Sequence, residues 1–150
     1  MATTVTAATL TVAVAESITL NGTTYDSTTN VSIASIANIS KRIMTVAAGA
    51  TSNVATFLST VTNQAFDTED TKYIRLTNLD DTSEVIVTLS EAATAAGLEL
   101  KAGASLPLFS INANGAASKV ALTSAAAIEE IHVHNASGAA IDLELFVAGV

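Results

Sequence analysis

Ile74-Arg75-Leu76-Thr77-Asn78 and Ile131-His132-Val133-His134-Asn135 share one pattern: apolar, polar, apolar, polar, Asn. Each is followed by a short polar turn and a second alternating stretch, Glu84 to Ser90 in the first case and Ile141 to Ala148 in the second. Side chains two apart in a strand point the same way, so such alternation marks a strand with one buried face. Upstream of each stands another matched pair, Val46-Ala47-Ala48-Gly49-Ala50-Thr51 and Leu100-Lys101-Ala102-Gly103-Ala104-Ser105. The partners lie 57 and 54 residues apart, as a duplicated unit with small loop changes would place them. A coincidence of a common β motif is the competing explanation.

The same period runs through the rest of the chain. Leu10, Val12 and Val14 alternate along one strand, and Ile18-Thr19-Leu20-Asn21-Gly22-Thr23-Thr24-Tyr25 carries the strongest hairpin signal. Asn-Gly supplies the two positive-φ residues of a type I′ turn, which sets Leu20 opposite Thr23 and Ile18 opposite Tyr25. Asp26 to Asn30 reads as a polar loop before a short strand at Val31-Ser32-Ile33. Further strands are expected at 41–46, 54–58, 72–77, 84–90, 98–101, 120–123, 129–134 and 141–148. Glu91 to Ala96 reads as a loop, with a helical turn as the alternative, and Ser124 to Ala127 as one helical turn. Pro107, the only proline, cannot donate to a ladder and indicates a sheet edge or a bulge.

About ten short strands with polar turns between them imply an all-β, antiparallel β-sandwich, jelly-roll-like, with internal duplication as one origin of its repeat. At 150 residues the chain is expected to be a single domain overall. Residues 1–40 would be an N-terminal arm and edge hairpin, and residues 41–150 the sandwich. The arm is the candidate for contact with a coat protein or a neighbouring copy.

Composition narrows function. There is no cysteine, so disulfides and thiolate metal sites are excluded. The net charge is −8, which opposes binding to phosphate backbones. No run of eighteen apolar residues suggests a membrane helix, and Met1 to Val5 lacks the basic opening of a secretory signal. A mean hydropathy of +0.48 with only 13% charged residues leaves two readings. Either a partner or further copies cover surplus apolar surface, or the sandwich exposes an outer face of Ala and Thr.

His132 and His134 are the only histidines and share one face of their strand. A regular hairpin would bring His134 near Asp142 and His132 near Glu144, a set able to hold a divalent metal or to form a pH-sensitive subunit contact. A solvated polar face is the plain alternative. Asp67, Glu69 and Asp70, and separately Asp80 and Asp81, resemble calcium ligands in composition but lack the glycine and distal Glu of an EF-hand loop. Solvated turns are the default there. No nucleophile motif or phosphate-binding glycine loop occurs. With no Trp and two Tyr, a sugar ring would find little to stack on. No catalytic, cofactor-binding or metal-binding residue is therefore assigned, and the chain is not expected to be an enzyme.

Lys72-Tyr73-Ile74-Arg75-Leu76-Thr77-Asn78-Leu79-Asp80-Asp81-Thr82, Ser17-Ile18-Thr19-Leu20-Asn21-Gly22 and Ile141-Asp142-Leu143-Glu144-Leu145-Phe146-Val147-Ala148-Gly149 together give the chain a resemblance. It resembles small virion structural proteins of tailed bacteriophages, of the type found in marine and cyanobacterial phages. The resemblance implies a β-sandwich displayed on the particle, a capsid decoration or cement protein on the virion surface. Its partners would be the major capsid protein and further copies of itself, as a homotrimer. A tail or fibre component that binds host surface is the alternative. The chain departs from that group in its abundance of Ala and in a shorter, more apolar loop at 91–97.

Overall fold

A computed structural model describes residues 5–58, 65–91, 94–109 and 128–150. The chain divides into two compact units, one of Met1–Asn38 with Val150 and the other of Ile39–Gly149.

The first unit is a long two-stranded ribbon, β1 (Ala8–Leu20) paired antiparallel with β2 (Thr23–Ile36). Its turn is the one the sequence dictates. Leu20 lies opposite Thr23 and Ile18 opposite Tyr25, with Asn21 and Gly22 at φ of 51° and 80°. The polar stretch 26–30 is not a loop. It continues β2, because each residue finds a ladder partner between Val14 and Ser17 or, at Asn30, Ala13.

The second unit holds β3 (Asn38–Val46), β4 (Thr51–Leu58), the two-residue β5 (Phe66–Asp67), β6 (Thr71–Asn78), β7 (Val85–Glu91), β8 (Thr94–Leu100), β9 (Ser105–Phe109), β10 (Glu130–His134) and β11 (Ile141–Gly149). No helix occurs among the described residues. One sheet has the order β3-β11-β6-β9 and the other β5-β4-β10-β7-β8. With β5 set aside and the remaining strands counted first to eighth, these orders become 1-8-3-6 and 2-7-4-5. That is the strand order of a jelly roll. The sandwich inferred from alternation is present, with its sheets packed over one core.

Inward positions carry Ile131 and Val133 on β10, Val85 and Val87 on β7, Ile74 and Leu76 on β6, and Ile141, Leu143 and Leu145 on β11, all buried. Each such side chain contributes about 1.5–3 kcal/mol relative to exposure. Pro107 sits on β9, the edge strand beside β6, where its missing N–H leaves no ladder gap in the sheet interior. Glu91 and residues 94–97 are strand, not loop or helical turn: Glu91 pairs with Thr94 and the ladder runs on through Thr88 opposite Gly97. The expected strand at 120–123 and helical turn at 124–127 fall outside the described residues.

The hairpin expected of His134 with Asp142 is corrected, and the polar turn after Asn78 closes no hairpin either. β6 and β7, joined by the turn at Asp80–Ser83, belong to different sheets, and so do β10 and β11. Both turns are corners that carry the chain across the sandwich. Alternation is identical in the two cases, since a strand that crosses to the facing sheet still buries every second residue.

The matched halves of the sequence take matched places. Adding four to each strand rank converts 1-8-3-6 into 5-4-7-2, which is the other sheet read backwards. The equivalence extends to single bonds around two wholly buried asparagines, Asn78 and Asn135. Asn78 N–H donates to Ala104 O at 3.0 Å and Asn135 N–H to Ala50 O at 2.9 Å. The side-chain amide of Asn78 donates to Leu100 O (3.4 Å) and Ser83 O (2.8 Å). That of Asn135 donates to Val46 O (3.1 Å), Ala47 O (3.2 Å) and Ala139 O (2.8 Å). Each Oδ1 accepts from the N–H two residues on, Asp80 at 3.0 Å and Ser137 at 2.9 Å. The turns they grip match too, with Gly49 at φ 67° and Gly103 at φ 69°. Each asparagine fastens a corner to the turn between two other strands.

Candidate functional site: the outer sheet faces

The outward positions of β10 are Glu130, His132 and His134. His132 Nε2 lies 2.9 Å from Glu130 Oε2, and His134 Nδ1 lies 2.9 Å from Thr51 Oγ1. Asn53 on β4 completes the row, its Nδ2 donating to Glu130 Oε1 at 3.1 Å. The expected approach of the histidines to Asp142 and Glu144 does not occur, because β11 lies in the opposite sheet. There Asp142 accepts from Thr45 Oγ1 at 2.6 Å, and Glu144 is engaged by Lys41 and Arg75. Among the described residues no three His, Cys, Asp or Glu side chains gather as a metal site.

The acidic turns are occupied by their own backbone. Asp67 Oδ1 accepts from Glu69 N (2.7 Å) and Asp70 N (3.3 Å). Asp80 Oδ1 accepts from Ser83 N (2.6 Å), Thr82 N (2.9 Å) and Thr82 Oγ1 (3.0 Å). The backbone donors at Ser83 and Thr82 hold the Asp80 carboxyl below the usual range. These are Asx-type turns.

The outer face of the β3-β11-β6-β9 sheet concentrates chemistry that composition alone conceals. Register places Arg75 between Phe146 on β11 and Pro107 on β9, and Tyr73 opposite Phe109. Tyr73 meets the Phe109 ring at 5.4 Å and the Phe146 ring at 6.0 Å between centroids. The Arg75 guanidinium lies 5.6 Å from the Phe146 centroid, within reach of a cation–π contact. Arg75 also pairs with Glu144, which Lys41 Nζ contacts at 2.9 Å. The hydrogen bond from Lys41, ahead of that from Arg75, lowers the Glu144 carboxyl below its ordinary value. Tyr73 is buried, and burial raises its phenol. Phe109 is 41% exposed, and Ile39 and Ile43 on β3 are exposed outright.

Three of the six aromatic residues thus meet beside an arginine on one face. Arg with Tyr and Phe is the composition enriched in protein contacts. Sequence reading missed this cluster. Tyr73, Arg75 and Phe146 each stand at outward parity in strands read correctly, but adjacency of β6, β9 and β11 comes only from sheet order. No family model, curated protein or solved structure matches the chain.

Proposed function

We propose that this protein is a virion structural protein of a tailed bacteriophage, not an enzyme: a homo-oligomeric capsid decoration protein that binds the outside of the major capsid protein and stabilises the head. The observation that carries the reading is the jelly-roll order of the sandwich, an architecture recurrent among viral capsid proteins and also among lectins and cupins. Fold alone is an analogy. It is joined by the virion-protein resemblance of 17–22, 72–82 and 141–149, and by an interior filled with Val, Leu, Ile and Phe among the described residues. Binding then falls to the outer surface. A decoration protein needs only modest contacts at each position, since repetition over a lattice supplies avidity. The charge of −8 keeps it clear of packaged DNA.

A tail or fibre role in host-surface binding is the second reading, and the Tyr73, Arg75, Phe109 and Phe146 cluster favours it. Labelling the protein on intact virions and locating it by electron microscopy separates the two. Many copies over the head are expected, whereas a few copies at the tail would replace the first reading with the second.

A further inference from the structure

β10 presents both histidines to one side. Ile131 and Val133 are buried in the core, so Glu130, His132 and His134 stand outward in one row. The His132 side chain keeps 31% of its surface open, and a dissolved ion can reach it. Alternate residues of a strand lie about 6.8 Å apart, a spacing at which two imidazoles can lean together over one ion.

We propose that His132 and His134 together bind one divalent transition-metal ion of the zinc, nickel or copper class, with Glu130 as the group that orients His132. Ring protonation is the first argument. A carboxylate only accepts, so the 2.9 Å contact of His132 Nε2 with Glu130 Oε2 puts the proton on Nε2. In the neutral ring the lone pair of Nδ1 is then left for a ligand bond. His134 Nδ1 lies 2.9 Å from Thr51 Oγ1; with Nδ1 donating to that hydroxyl, Nε2 is the free basic atom. Metal-bound histidines regularly give their other ring N–H to a carboxylate or another fixed acceptor, and both rings meet that condition.

A β-bulge is the second argument. β10 and β4 stay in step as far as Ile131 opposite Ala55, then shift so that His132 faces Asn53. Val54 and Ala55 are both buried, and the extra residue turns Asn53 to the outer face, as bulges do when they re-aim a side chain. Asn53 Nδ2 donates to Glu130 Oε1 and to Thr56 Oγ1, each at 3.1 Å. Glu130 is thereby held at both oxygens, one by Asn53 and the other by His132. A merely solvated face has no use for a carboxylate clamped at both ends.

Charge and ligand type select the ion. No Lys or Arg occurs on β4, β7 or β10, the strands around the pair, and the whole chain carries −8, which favours a cation. Imidazole suits zinc, copper and nickel, whereas calcium and magnesium want oxygen ligands. Two protein ligands fall short of the four that close a structural zinc site. Water therefore completes the coordination, and binding is reversible. This inference goes beyond the proposed function and does not depend on it.

Calorimetric titration of the full chain with zinc chloride is expected to show one ion per chain, with no heat of binding from calcium or magnesium chloride. Removing an outer partner of a ligand costs roughly 10–100-fold in metal affinity. Glu130→Gln should therefore weaken zinc binding about tenfold, and His132→Asn or His134→Asn, which remove a ligand outright, should weaken it further. Asp81→Asn, in the turn after β6, should leave it unchanged. Nuclear magnetic resonance of the unaltered chain guards against a variant that misfolds: substoichiometric nickel should broaden the ring signals of His132 and His134 ahead of all others. Zinc that does not bind, binding that survives both histidine substitutions, an equal response to calcium, or nickel broadening centred elsewhere would each overturn the proposal. Full affinity in Glu130→Gln would overturn the orienting role of Glu130.

Discussion

Asn135 donates to three carbonyl oxygens and accepts one N–H inside the protein. No water can replace it there without space, so truncation strands several backbone groups at about 1–3 kcal/mol for each that stays dry. Asn135→Ala is expected to cost about 2–4 kcal/mol, measured as a fall in urea midpoint. Asn78→Ala should cost less, since its amide makes one short and one long bond. Equal, negligible losses would refute the role of both. Glu144 sets a pH dependence. Its carboxyl is held below the ordinary value of 4.5, so its contribution is complete above that pH and fades as acid protonates it. Glu144→Gln should cost about 1 kcal/mol at neutral pH, and thermal melts of variant and parent should converge below pH 4.5. A gap of constant size down to acid would disprove the linkage.

Strand identity was legible in the sequence; strand partnership was not. Alternation marked β6, β7, β10 and β11 because burial on one face is a local property. Whether Asp80–Ser83 closes a hairpin or crosses the sandwich depends on which strand lies alongside, and His132 and Asp142 were misplaced together for that reason. Asn21-Gly22 succeeded because a two-residue turn leaves only one pairing. Asn78 and Asn135 were seen as repeated turn residues. Their burial was invisible, since a turn asparagine and a corner-fastening asparagine read alike. The same contrast of faces gives an expectation along single strands. Leu145→Ala on the inner face of β11 should cost about 2–5 kcal/mol, while Ile43→Ala on the exposed face of β3 should stay within about 0.5 kcal/mol. Denaturant midpoints of the pair test the inward and outward assignments, and reversed values would contradict them.

For the sandwich unit, neither sequence half owns a sheet. β3 and β6 from the first half alternate with β11 and β9 from the second, and β4 and β7 are separated by β10. Segments 39–91 and 94–149 expressed alone are therefore expected to lack cooperative melting, and to regain it, with sandwich-like circular dichroism, when mixed. A half that melts cooperatively by itself would show that the repeat is an autonomous unit.

β11 holds a central position, between β3 and β6, and carries the fully buried Ile141, Leu143 and Leu145. A nascent chain that has made everything up to residue 140 thus has a gap down the middle of one layer. It must wait, with its greasy inner surface open to chaperones or to its neighbours on the polysome, until the final nine-residue strand slides in and shuts the shell.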